Sequence, residues 1–133
     1  MAAGEIEKSE KITINLGPVD LGQIDLLVAE GFYANRTDFI RSAIRAQIAT
    51  RAAAVDQTVA RRTLTLGTLT LTRPELEELA QAGRTVEIRV LGLATIAPDV
   101  SPELALATIS AVEVLGAFRA SPAVKAALAP RTV

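Results

Sequence analysis

A chain of 133 residues, half of them apolar and with a net charge of −1, can bury one ordinary core or two small ones and belongs among globular proteins rather than disordered ones. The absence of cysteine and histidine excludes disulfides, serine–histidine and cysteine–histidine catalysis and the common zinc sites. The opening residues MAAGEIEKSE carry acids where a secretory signal needs a basic end, and Asp99, Glu103 and Glu113 interrupt the later apolar runs; the expectation is a cytoplasmic, nucleoid-associated protein without a membrane span.

Residues 1–10 are expected to be a flexible terminus. From Lys11 to Gly17 the segment KITINLG alternates strictly, so one face of a strand carries Ile12, Ile14 and Leu16 and the other Lys11, Thr13 and Asn15. Gly17 and Pro18 end it. In VDLGQIDLLVAEG the apolar residues Leu21, Ile24, Leu27 and Val28 have the spacing of a helix with one buried stripe, closed by Gly31. A second helix opens at Asn35, a capping residue followed three positions later by Asp38, a relative of the capping box. Its stripe is Phe39, Ile40, Ala43, Ile44 and Ile48, and residues 49–62 continue as a helical extension or linker. Between Arg36 and Arg62 six arginines (Arg36, Arg41, Arg45, Arg51, Arg61, Arg62) face two acids, Asp38 and Asp56. A basic stretch in a nearly neutral chain suits a local anionic contact or a solvated helix face.

One strand and two helices cannot bury their own apolar faces, and a lone strand leaves both backbone edges unpaired. The economical completion is a second copy, with the two strands antiparallel about a twofold axis. The expected dimer core is Ile12, Ile14, Leu16, Phe39, Ile40 and Ile44.

The run from Lys11 to about Ile48 resembles the ribbon-helix-helix repressors, the group of Arc and MetJ, in strand length, helix spacing and the turn GFYANRTDFIR. The resemblance implies an intertwined dimer whose two-stranded ribbon enters the major groove of double-stranded DNA. Lys11, Thr13 and Asn15 then occupy the base-contacting positions. Their chemistry fits: lysine donates to guanine O6 and N7, asparagine pairs with adenine N6 and N7, and threonine offers a hydroxyl and a methyl. Phosphate contacts are expected from Arg36 and Thr37, whose backbone amides open the second helix at the positive end of its dipole. Asn35 and Asp38 are assigned to capping. Arg41 and Arg45, farther along the helix, are read as solvated or interfacial.

In residues 63–133, TLTLGTLTLT alternates again, and RPELEELAQAG has proline near the start and glycine at the end of a short helix. IRVLGLA at Ile88–Ala94 recurs as VEVLGAF at Val112–Phe118, a shift of 24 residues, and Gly67 precedes Gly92 by 25. Proline-led segments recur in RPELEEL, SPELALA and SPAVKAA. The unit is strand, glycine, connection, short helix. Either a short strand-turn-helix solenoid of about three repeats or a compact α+β domain accounts for it, and in both cases exposed edges favour self-association. The chain as a whole is therefore expected to be α+β: terminus 1–10, ribbon-helix-helix 11–48, extension 49–62, assembly domain 63–133.

Catalysis finds no support, because Glu75, Glu77, Glu78, Glu87, Asp99, Glu103 and Glu113 stand without a partner base, nucleophile or ligand spacing. No metal and no cofactor are expected. The reading is a dimeric, sequence-specific transcriptional repressor that forms a higher oligomer through its second half. The alternatives are an antitoxin that binds a toxin partner, or a scaffold protein whose second half polymerises.

Overall fold

The computed structural model describes residues 9–133, which form two units, Ser9–Thr58 and Val59–Val133; residues 1–8 of the expected flexible terminus lie outside the described residues.

In the first unit Lys11–Gly17, expected as a strand, is not assigned to one and pairs with no strand among the described residues. Gly17, at φ −68° and ψ 158°, leads into helix α1, Pro18–Ala29, with proline in the first turn where a missing N–H costs nothing. Its end is a Schellman turn: Gly31 at φ 85° donates its amide to the Val28 carbonyl and Phe32 donates to that of Leu27. Helix α2, Arg36–Thr50, follows, and helix α3, Ala52–Arg62, begins after a break at Arg51. α1 packs on α2. Ile24 is the single fully buried residue of the two helices; α2 buries none.

The second unit starts with the end of α3, where Thr63 adopts the left-handed φ of 54°. Then come β1, Thr65–Leu71; α4, Arg73–Gln81; β2, Val86–Ile96; α5, Pro102–Thr108; β3, Ile109–Arg119; α6, Pro122–Leu128; and a 3₁₀ turn, Ala129–Arg131. The three strands are parallel and lie in chain order, β1-β2-β3. Parallel pairing demands a crossover between strands, and the proline-led segments supply it as α4 and α5, with α6 after β3. Thr72, Ser101 and Ser121 precede these helices, and the Ser101 and Ser121 hydroxyls accept from the amides of Leu104 and Val124. α5 packs between α4 and α6, so the helices form a second layer. Between the layers lies a core that includes Leu76, Ile88, Val90, Ile109, Val112 and Leu128, all essentially inaccessible.

The glycines set the register. Gly67 pairs with Gly92 and Gly92 with Gly116, so the 25- and 24-residue shifts of the sequence are the strand-to-strand shifts of the sheet. All three have φ between 120° and 141°, a region open to glycine alone.

Candidate nucleic-acid interface

The candidate interface is built from the amino-terminal segment and the start of α2. Lys11, Thr13 and Asn15 are exposed. The alternate residues Ile12, Ile14 and Leu16 are also exposed, at 73%, 53% and 42%. Ile14 and Leu16 border an apolar groove walled by Ile24 and Leu27 of α1 and by Phe39, Ile40 and Ile44 of α2. Thus Ile14, Leu16, Phe39, Ile40 and Ile44 of the expected dimer core line one groove, while the polar trio occupies the intervening positions of the same segment. Ile12 is not among the groove-lining residues.

At the start of α2 the hydrogen bonds can be accounted for one by one. Asn35, in extended backbone, accepts through Oδ1 from the Asp38 amide at 2.8 Å, and its carbonyl accepts from the Phe39 amide at 3.2 Å. The Asp38 carboxylate accepts from the Ala34 amide at 2.9 Å, one residue before the N-cap amide that a full capping box engages. The Arg36 and Thr37 amides remain at the helix mouth, where the dipole is positive. The Tyr33 and Phe39 rings meet edge to face at 5.0 Å and join the turn to α2.

Arg36 is held by a residue the sequence reading left unassigned. Its Nε and Nη2 donate to the two carboxylate oxygens of Asp25 on α1, at 2.7 and 2.8 Å. This bidentate pairing keeps the Asp25 carboxyl below its ordinary range, chiefly through the hydrogen bond, and holds the guanidinium above its own. Nη1 keeps its donors for another acceptor. Both side chains are about half exposed. The partners lie on different helices, 11 residues apart, where no local periodicity pairs them. Arg41 and Arg45 are exposed further along α2.

The second unit contains ion pairs of its own. Arg62 donates to Glu113 at 2.9 Å, and Arg89 donates to the Arg62 carbonyl at 3.1 Å, placing a cation at the end of α3 where the dipole is negative. Among the described residues no cluster of Asp or Glu could hold a metal ion, and no helix is long and apolar enough to cross a membrane.

No curated protein and no solved structure matches the chain. A family model described as the ribbon-helix-helix transcriptional regulator family matches residues 7–125. That span runs beyond the resemblance at Lys11–Ile48 and takes in all three strands of the second unit. The chain therefore belongs to the ribbon-helix-helix transcriptional regulator family, a family of DNA-binding regulators, and the matched length takes in the first unit and the second as far as residue 125.

Proposed function

We propose that the protein is a dimeric, sequence-specific repressor acting on double-stranded DNA. Two Lys11–Gly17 segments pair antiparallel, and the ribbon enters the major groove with Lys11, Thr13 and Asn15 toward base edges. Ile12, Ile14 and Leu16 turn inward against Phe39, Ile40 and Ile44 of both chains. The Arg36 and Thr37 amides take a backbone phosphate at the mouth of α2, with Arg36 adding its Nη1 from a position fixed by Asp25. The sheet unit joins dimers on adjacent half-sites. Such a protein works in the cytoplasm on the nucleoid.

One observation supports this reading most directly: Ile14 and Leu16 of the segment and Ile44 of α2 are exposed and line one apolar groove together with Leu27, Phe39 and Ile40, while Lys11, Thr13 and Asn15 occupy the intervening positions of the same segment. Burying apolar surface contributes roughly 25 cal/mol per Å², so a second copy is strongly favoured over water as the occupant. An antitoxin role is disfavoured by residues 59–133, which already have their own core, whereas a toxin-binding segment gains order on binding.

The test is Lys11→Ala/Thr13→Ala/Asn15→Ala, compared with the unaltered protein on its own upstream DNA and on a scrambled duplex. The variant is expected to stay dimeric and to lose its preference between the duplexes. If it keeps the preference, base readout lies elsewhere. A scaffold whose ribbon serves only as a clasp would show no preference in either protein.

A further inference from the structure

The sheet of the second unit ends in two edges that match each other. Gly92 and Gly116 are glycines for a steric reason: a Cβ on Gly92 would lie 2.1 Å from the Gly67 carbonyl oxygen, and one on Gly116 would lie 2.2 Å from that of Gly92. Gly67 has the same backbone, φ 122°, but nothing within 4 Å of its Cβ position. So the β1 edge presents a glycine shaped for a carbonyl that its own chain does not provide. At the other edge, the next carbonyl in the series belongs to Gly116.

The length of open edge also agrees. Thr132 bridges to Val112, and Val133 donates its amide to the Val112 carbonyl at 2.9 Å, so these two residues meet β3 at its beginning. Continuing the ladder by one strand sets Gly116 opposite Gly67 of a second copy. In the register already used twice, Val114 then meets Thr65 and Arg119 meets Thr70.

The side chains are complementary as well. Leu66, Leu91 and Leu115 form one row across the sheet; Leu91 in the middle is half-buried, while Leu66 and Leu115 at the ends are 65% and 42% exposed. In the helix layer, α4 flanks an open groove with Glu75, Glu78 and Leu79, with Arg84 beside them. α6, at the β3 end, carries Lys125.

We propose that β3 of one copy pairs in parallel with β1 of another, Gly116 opposite Gly67, so that the sheets of successive copies join head to tail. The proposal rests on the reading that this unit assembles dimers, and it names the surface. Because the two edges differ, the contact is heterologous and closes into a ring or extends as a filament. It also joins the two edge strands of the three-stranded sheet, β1 and β3.

The chain has no cysteine, so single cysteines report the contact cleanly. Adjacent strands lie about 4.8 Å apart, within the Cα separation a disulfide spans. Full-length Leu66→Cys and Leu115→Cys, each checked for an unchanged thermal transition, are oxidised separately and mixed. The mixture is expected to give a disulfide-linked dimer that neither variant gives alone, and the double variant a ladder of covalent multimers. Thr68→Cys with Ala117→Cys, one register step beyond the glycines, repeats the test should the first pair perturb folding. Crosslinking of Leu66→Cys alone would mean β1–β1 pairing and overturn the proposal, as would no crosslink in either mixture. Sedimentation of the unmodified protein separates the failures: species larger than dimers without the crosslink overturn this surface only, whereas dimers alone overturn the assembly reading too.

Discussion

Gly116 sits against the carbonyl of Gly92 so closely that a single added carbon would lie 2.2 Å from its oxygen. Gly92→Ala and Gly116→Ala therefore meet backbone as well as an unfavourable φ, and each is expected to cost about 3 kcal/mol or more. Within its own chain Gly67→Ala meets only the φ penalty, about 1–3 kcal/mol. Urea denaturation of the three variants should rank Gly67→Ala clearly the mildest; equal losses would contradict the stacked arrangement.

Thr63 closes α3 in the left-handed conformation, its amide bonded to the Ala60 carbonyl while the Leu64 amide reaches that of Val59. The geometry is a Schellman turn with a β-branched residue where glycine is the usual choice. Thr63→Gly removes the side-chain strain and loses some backbone entropy, for a net gain of about 0.5–1 kcal/mol. A rise in the midpoint of thermal unfolding is the expected result.

The Asp25–Arg36 pair has a defined pH signature. The Asp25 carboxyl is depressed in the folded chain, so its contribution is fully present above the unfolded carboxylate's pKa, about 3.9. It is lost as pH falls through the lower folded value. The stability difference between the natural protein and Asp25→Asn should therefore be constant near neutrality, shrink as pH falls below about 4, and vanish once pH is below the depressed folded value. A difference that persists unchanged into strong acid would mean Asp25 acts by packing alone.

Ile14 borders the apolar groove from the segment side. Ile14→Asp places a charge where the second copy is proposed to seat, and burying an unpaired carboxylate costs several kcal/mol. Sedimentation equilibrium should show dissociation at concentrations where the natural protein is paired, by two orders of magnitude or more in Kd, since about 1.4 kcal/mol is tenfold.

Much of this was legible because the deciding interactions are local. The helix start at Asn35 and Asp38 and the stop at Gly31 each involve residues within a few positions. The glycine period was legible for a different reason: the parallel sheet repeats one close backbone approach at each strand pair, so Gly67, Gly92 and Gly116 mark the register. The strands themselves extend beyond the recurring seven residues, to Val86–Ile96 and Ile109–Arg119, because serine, threonine and alanine at their ends weaken the alternation. Tertiary pairings gave no such signal. Asp25 with Arg36 and Arg62 with Glu113 join residues 11 and 51 positions apart, and the left-handed Thr63 contradicts residue preference outright. The family's reach through the second unit was equally hidden, since the residues carrying the resemblance end at about Ile48.

The most direct measurement is a binding titration of the natural protein with its own upstream duplex and with a scrambled duplex of equal composition, at near-physiological salt. Sequence reading by the ribbon predicts a preference of roughly a thousandfold or more. Equal affinity for the two duplexes, lost alike as salt is raised, would show phosphate binding without base readout and would contradict the account.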